Sequence, residues 1–405
     1  MHGNILLETG IVLLFGFLLG EAATLIRLPK VSGYIVAGIC LNPLILPVLS
    51  EHYADKSTPL IHIALSFITF SIGGSLSIEN LKSSGKLILL TTLSESLFAY
   101  FFVCILLFVF TFFVVNLFSS WAVCLAVSLI MASLAAPTDP SATLAVTNEY
   151  HAKGPVSSTI LGIAAFDDIM GIILYTLTLS FARYFLGDSN AGLLSSLLEL
   201  LRGIGGAVIL GILAGVVFNF FVHPFRKENE GALIVVLAGI LLLSFGTASY
   251  FKFDELLSTM TLGAVVVNFN KQKDRIFSIV QRYTDELIFV LFFTLSGLHL
   301  DLNALSGSLL LIAIFIISRA LGKFTGVYTT TSWLKALRSV KKYTAGGLFP
   351  QGGIVIGLAL LISKEKVFSP YASLIIGIVI GAAVIHELLG PILAKASLKK
   401  AGEIV

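Results

Sequence analysis

Charged residues are scarce in this chain of 405 residues. Asp, Glu, Lys and Arg make up 12% of the sequence, whereas about a quarter of the residues in an ordinary soluble domain are charged. Apolar and aromatic side chains make up 57%. The core of a soluble domain cannot absorb this much apolar surface, so the composition predicts a protein that lies in a lipid bilayer.

Cysteine is also rare. The chain has three, Cys40, Cys104 and Cys124, and each lies within a long apolar run, where a free cysteine usually behaves as a small buried hydrophobe. The sequence therefore predicts no disulfide framework.

Long apolar runs dominate the rest of the chain. Most have about 18 residues or more, the length that an α-helix needs to cross a hydrocarbon core about 30 Å thick. They are apolar on every face and lack the alternation of barrel strands, so helices are the remaining option. We predict an all-α integral membrane protein with about thirteen transmembrane helices. The predicted spans are 5–26, 31–49, 59–78, 87–115, 121–147, 156–185, 203–222, 231–250, 255–269, 285–300, 305–331, 344–363 and 369–396.

Basic residues are distributed unequally between the two predicted sides of the membrane. The loops on the side of the C-terminus hold 18 Lys and Arg, and the opposite loops hold 6. Cytoplasmic loops are enriched in Lys and Arg. We therefore expect a multi-pass protein of the cell (inner) membrane with a cytoplasmic C-terminus and an external N-terminus.

The two halves of the sequence predict an internal repeat. At an offset of 224, Gly73 and Leu76 align with Gly297 and Leu300, and prolines interrupt the fifth and the twelfth spans. The interruptions are seven spans apart, an odd number, so the copies would have opposite orientations, as in many secondary transporters. The single transmembrane domain, 1–405, would comprise repeat one at about 1–186, a linker helix at about 191–222 and repeat two at about 231–396.

Both interruptions contain groups that can interact with ions. In Thr138-Asp139-Pro140, the proline lacks an N–H and clashes with the preceding turn, so the helix should unwind and free its carbonyls. The second interruption is Pro350-Gln351-Gly352-Gly353. Where the two broken helices cross, Asp139 could neutralise the positive helix ends and a cationic residue the negative ones. A plain proline kink with a capping aspartate is the alternative.

Asp167 and Asp168 are adjacent near the centre of the sixth span. A carboxylate there can bind either a proton or a hard cation, which prefers oxygen ligands, so the two ions would compete and be coupled. We predict a cation and proton site formed by Asp168, Asp167, Thr138 and Asp139, with Na⁺ at the first three. The alternative is that these acids only pair with basic residues to hold helices together.

Two basic residues, Arg319 and Lys323, lie in the middle of the eleventh span, where an unpaired cation is costly. Lys323 could pair with Asp167, titrate, or do both. The offset of 224 places Arg319 opposite Glu95. We therefore predict a structural ion pair of Glu95 and Arg319 near the axis that relates the repeats.

At these residues the sequence resembles the monovalent cation/proton antiporter superfamily, of the sodium/hydrogen exchanger and Kef-type membrane-domain kind, along essentially its whole length. The matching segments are Thr138-Asp139-Pro140, Phe166-Asp167-Asp168, Arg319-Ala320-Leu321-Gly322-Lys323, Gln351-Gly352-Gly353 and Glu387-Leu388-Leu389-Gly390-Pro391.

The resemblance implies a homodimer in the bilayer, each protomer having a dimerisation domain and a six-helix core that moves like an elevator. The core helices would lie at about 59–185 and 285–396. In the two-aspartate branch, the second aspartate, here Asp168, is central to cation binding, and the first, here Asp167, pairs with the lysine, here Lys323. Exchange in that branch is electrogenic, whereas the Thr-Asp-Pro motif is commoner among electroneutral exchangers.

The function implied is that of a secondary active antiporter, not an enzyme, which exchanges Na⁺, Li⁺ or K⁺ for H⁺ without a cofactor or a nucleic-acid partner. A K⁺/H⁺ efflux antiporter is one alternative. A sodium-coupled symporter of an organic solute is another, but adjacent aspartates with a mid-membrane lysine favour proton exchange. A channel is disfavoured because the sequence shows no pore loop or ring motif.

Overall fold

The computed structural model describes residues 4–43, 45–50, 52–115, 117–118, 120–186, 193–222, 230–283, 285–298, 309–362 and 365–404. Its helices in chain order are α1 (Ile5–Leu25), α2 (Lys30–Leu41), α3 (Tyr53–Gly74), α4 (Ile78–Val109), α5 (Trp121–Ser133), α6 (Pro140–Glu149), α7 (Pro155–Phe185), α8 (Leu193–Val222), α9 (Glu230–Phe251), α10 (Glu255–Phe269), α11 (Lys273–Tyr283), α12 (Asp285–Leu298), α13 (Leu309–Trp333), α14 (Arg338–Gly347), α15 (Gly353–Ile362) and α16 (Ser369–Ala401).

The predicted fold class is confirmed, since each predicted span overlaps one described helix or a pair of them. A π-helical turn at Phe110–Val114 extends α4. Eight of the described helices are long and apolar enough to cross a membrane, and four shorter ones are apolar. The exact number of thirteen spans stays a prediction.

Both predicted interruptions are present. The first separates α5, which ends at Ser133, from α6, which begins at Pro140, and the second separates α14 from α15. A proline at the first helical position loses nothing, because its missing N–H would have no partner there. The Asp139 backbone N–H donates to the Pro350 carbonyl over 3.0 Å, so the two interruptions lie against each other.

The described chain divides into two compact units. The first lies within 1–84, 144–151 and 201–299, and the second within 85–143, 152–200 and 300–405. The predicted core ranges, 59–185 and 285–396, differ from the second unit because α3 and α12 belong to the first. Within that unit α3 packs on α10, and α12 packs on α2.

Glycines set both of these helix contacts. A Cβ on Gly73 of α3 would lie 2.0 Å from the Met260 carbonyl oxygen, and one on Gly297 of α12 would lie 2.4 Å from the Ile35 carbonyl oxygen. Small residues let helix backbones approach closely in a membrane. The two glycines are the pair aligned by the offset of 224, so matched positions make matched contacts. Leu300, the other residue of that comparison, lies outside the described residues.

Candidate functional site

A buried lysine is the centre of the candidate site, in the second unit. Lys323 of α13 is 2% exposed. Its Nζ donates to Glu95 Oε2 over 2.5 Å, to Thr138 Oγ1 over 2.8 Å and to Asp167 Oδ2 over 3.0 Å. The ammonium therefore has three oxygen partners, the number that its three protons can satisfy.

Neighbouring hydroxyls hold the Asp167 carboxylate in place. Ser96 Oγ donates to Asp167 Oδ1 over 2.7 Å, and Thr138 Oγ1 donates to Asp167 Oδ2 over 2.6 Å. Ser96 Oγ also lies 3.1 Å from Glu95 Oε1. We define the lysine centre as Glu95, Ser96, Thr138, Asp167 and Lys323, which three helices and the first interruption bring together.

Small residues in α13 let α4 approach the lysine centre. A Cβ on Gly326 would lie 2.4 Å from Glu95 Cα, and a Cβ on Gly322 would lie 2.5 Å from Ala99 Cα. The backbones of α4 and α13 are therefore in direct contact. Lys323 lies between these two glycines, so its side chain can reach the Glu95 carboxylate.

Arg319 is fully buried and binds both interruptions. Its Nε donates to the Ala135 carbonyl over 2.9 Å and its Nη2 to the Pro137 carbonyl over 2.9 Å, both in the first interruption. In the second, Nη1 donates to the Phe349 carbonyl over 2.8 Å. Longer contacts of Nη2 to Leu348 and Pro350 carbonyls complete the set.

The predicted ion pair of Glu95 and Arg319 is wrong for the described residues. The contact of Gly326 with Glu95 fixes the register of α13 on α4, and in this register Lys323 meets Glu95. The guanidinium of Arg319 instead lies at the carbonyl ends of α5 and α14, where its planar set of donors satisfies several acceptors. Arg319 thus supplies the cation that the negative helix ends require.

Asp168, the other aspartate of the predicted site, follows Asp167 in α7. It is half-buried, whereas Asp167 is fully buried. One of the two adjacent carboxylates is thus enclosed by the lysine centre, and the other keeps some exposed surface.

Asp139 directly precedes α6. Its Oδ1 accepts a hydrogen bond from the Ser141 backbone N–H over 2.8 Å, which is the geometry of a helix cap. A Cβ on Gly352 would lie 2.7 Å from Asp139 Oδ2 and 2.8 Å from Glu387 Oε1. Both acids therefore approach Gly352 in the second interruption.

Gln351 holds the second interruption against the first. Its Nε2 donates to the Leu134 carbonyl over 2.7 Å, and its Oε1 lies 2.8 Å from His386 Nδ1. Gly353, the last predicted residue of this segment, begins α15.

Glu95 and Ser96 are not among the ion-binding groups predicted from the sequence. The signal was present, because Glu95 is an acid within an apolar span and Ser96 is its neighbour. The predicted partner of Glu95 follows from the offset of 224 between the repeats. This offset does not determine which side chains contact one another where α4 and α13 cross.

The chain is similar to known proteins over nearly its whole length. The family model described as sodium/hydrogen exchanger, transmembrane, matches residues 10–396. The Na⁺/H⁺ antiporter NhaS4 of Synechocystis is 24% identical over 387 residues, which cover 91% of this chain and 92% of the relative. The ammonium/H⁺ antiporter subunit AmhT of Alkalihalophilus pseudofirmus is 22% identical, with 93% and 92% covered.

A solved structure with a similar fold is that of the sodium proton antiporter MjNhaP1 from Methanocaldococcus jannaschii. Two determinations match with TM-scores of 0.69 and 0.73, at 20% identity and with 98% of each chain covered. The all-helical fold, its two crossed interruptions and the family match over nearly the whole length lead to one assignment. This chain is a multi-pass membrane protein of the sodium/hydrogen exchanger family.

Proposed function

We propose that this protein is a secondary active antiporter that exchanges Na⁺ for H⁺ by alternating access. The observation that carries the proposal is the lysine centre, in which one buried ammonium contacts the carboxylates of Glu95 and Asp167. Charges at mid-membrane depth are costly and are kept for ion pathways and proton relays. The name of the Synechocystis relative, a Na⁺/H⁺ antiporter, supports the same ions.

Competition for Asp167 would couple the two ions. A Na⁺ ion entering beside the half-buried Asp168 would take oxygen ligands from Asp168, Asp167 and Thr138. Lys323 Nζ would then lose its contact with Asp167 Oδ2. It would keep Glu95 Oε2, which lies 2.5 Å away, as its partner. Lys323 would therefore not be left unpaired in a low-dielectric site when the cation binds.

The number of ionisable groups supports an electrogenic exchange. Asp167, Asp168 and Glu95 provide three carboxyl groups and Lys323 provides an amine, which is enough to take up two protons when one Na⁺ leaves. A cycle of one Na⁺ against two H⁺ moves one net charge. We also propose that the protein is a homodimer in the cell (inner) membrane.

The experiment is Na⁺/H⁺ exchange by purified protein in proteoliposomes, with and without a membrane potential set by potassium and valinomycin. The wild-type rate should respond to the potential. Asp168→Asn should abolish exchange because it removes the carboxylate that a cation can reach. Asp274→Asn, at an exposed aspartate of α11, is the matched control and should be neutral.

Each outcome of this experiment has a separate meaning. An exchange rate that does not depend on the membrane potential would contradict the two-proton cycle and favour an electroneutral cycle. Exchange that survives in Asp168→Asn would contradict the assigned cation site. The identity of the cation is tested by repeating the assay with Li⁺, K⁺ and ammonium. If K⁺ or ammonium supports exchange and Na⁺ does not, that cation is the substrate and Na⁺ is not.

A further inference from the structure

A basic and apolar patch lies where α13 meets α14 in the second unit. Lys335, Arg338 and Lys342 have exposed side chains. Trp333 and Leu337, between and beside them, are 72% and 62% exposed. We refer to these five residues as the basic patch. Two large apolar side chains and three cations are therefore exposed in the same short segment of the chain.

The basic patch has no acidic residue near it in sequence. Between Asp301 and Glu365 the chain contains no Asp or Glu. A fourth cation, Lys341, lies with its Nζ 4.2 Å from the centre of the Tyr328 ring. The positive charge of this segment is therefore uncompensated by the segment itself, which favours a negatively charged partner.

The position of the basic patch indicates what that partner is. Trp333 is the last residue of α13, a helix of 25 residues that is long and apolar enough to cross a membrane. The end of such a helix lies at the depth of the lipid headgroups, where tryptophan is enriched and where long basic side chains reach towards phosphates. An acidic protein would have to displace lipid to reach the same surface.

We propose that the basic patch binds the headgroup of an anionic phospholipid. Lys335, Arg338 and Lys342 contact the phosphate and any further headgroup charge, and Trp333 and Leu337 enter the boundary of the hydrocarbon region. Clusters of basic residues beside a membrane span attract anionic lipids in this way. The rule that basic residues face the cytoplasm explains their side of the membrane, but it does not explain why an exposed Trp and Leu accompany them.

Lipid bound here contacts an element of the candidate site. Arg338 is the first residue of α14, and α14 is the first half of the second broken helix. At the other end of α14, the Leu348 carbonyl oxygen lies 3.3 Å from Thr138 Oγ1. An anionic lipid should therefore stabilise the part of the second unit that holds the crossing.

The test uses purified full-length protein in detergent, titrated with mixed micelles of phosphatidylglycerol or of phosphatidylcholine. Native mass spectrometry counts the bound lipids, and thermal unfolding gives Tm. The variant Lys335→Gln, Arg338→Gln, Lys342→Gln removes the three cations. The control Lys271→Gln, Lys273→Gln, Arg275→Gln removes equal charge at and beside the start of α11.

We expect phosphatidylglycerol to raise Tm of the wild type and of the control more than phosphatidylcholine does. In the variant of the basic patch, phosphatidylglycerol should raise Tm no more than phosphatidylcholine does. The apparent affinity of this variant for phosphatidylglycerol should fall about a hundredfold, since each of the three cations contributes about fivefold near an anionic surface.

Three results would overturn the proposal. The first is an equal loss in the two triple variants, which would show a general charge effect. The second is an equal rise in Tm with phosphatidylcholine. The third is full stabilisation by inorganic phosphate or by polyglutamate, which would assign the basic patch to a soluble anion or to an acidic protein.

Discussion

At the scale of single residues, one ammonium and two carboxylates explain how charges persist in an apolar interior. Lys323 and Glu95 are each almost fully buried, and each would be costly alone. Removing one partner of a buried pair is far more damaging than replacing both, because it leaves an uncompensated charge. Hydroxyls of Ser96 and Thr138 complete the hydrogen bonds of Asp167.

Glu95→Gln should therefore lower stability in detergent by about 2–4 kcal/mol, at or just below the range for broken buried pairs, since Lys323 retains Asp167. The double variant Glu95→Gln, Lys323→Met should be more stable than the sum of the two single variants predicts. Thermal unfolding of the four proteins measures this coupling. Additive losses would show that Glu95 and Lys323 do not act as a pair.

At the scale of elements, Arg319 holds the two broken helices together. Gly322 and Gly326 let α13 pack closely on α4. Arg319 donates to carbonyls of both interruptions. The breaks in the helices explain why these carbonyls are available, because the Asp139 N–H, which would bond to the Ala135 carbonyl in a continuous helix, donates to the Pro350 carbonyl instead. One guanidinium thus satisfies acceptors from both interruptions, in addition to the hydrogen bonds that Gln351 and the Asp139 backbone make between them.

Arg319→Lys keeps the charge but loses the planar set of donors, so it should leave several buried carbonyls unsatisfied. Each such group costs about 1–3 kcal/mol. We expect a lower Tm than in wild type, and a still lower Tm in Arg319→Gln, which also loses the charge. A Tm of Arg319→Lys equal to that of wild type would mean that charge alone suffices at the crossing.

Gly326→Ala tests the contact of α13 with α4. Its Cβ would lie 2.4 Å from Glu95 Cα, and because the obstacle is backbone, the two helices must separate and carry Lys323 away from Glu95. We expect reduced exchange and a lower Tm, corresponding to a loss of stability of about 1–3 kcal/mol, as is typical of overpacking. Gly239→Ala in α9 is the control, since nothing lies within 4 Å of its Cβ position. Equal behaviour of the two variants would exclude a tight crossing.

At the scale of the whole molecule, the chain is a multi-pass membrane protein, and its charge distribution predicts the orientation. The imbalance of 18 basic residues against 6 is the basis. A single cysteine at the C-terminus of a cysteine-free variant should react with an impermeant reagent only after the cells are opened, and one at the N-terminus should react in intact cells. Labelling of the C-terminus in intact cells would reverse the orientation.

Several features could be derived from the sequence because they depend on local chemistry. Long apolar runs require helices in a bilayer, and prolines at 137, 140 and 350 favour interruptions. Four charged residues that are buried in the structure can likewise be identified from the sequence, because each lies in an otherwise apolar span. They are Glu95, Asp167, Arg319 and Lys323. These predictions depend on neighbours within one helix, which the sequence gives directly.

The pairing of Asp167 with Lys323 is predicted from the sequence and is present, but the partner of Glu95 is decided by the tertiary structure alone. Arg319 and Lys323 lie four residues apart on α13, so both face the same neighbours, and either could have paired with Glu95 as far as the sequence shows. The approach of Gly326 to the α4 backbone selects Lys323, a distinction of one helical turn. That selection depends on the register of two helices far apart in sequence, which is a property of packing in three dimensions and not of either helix.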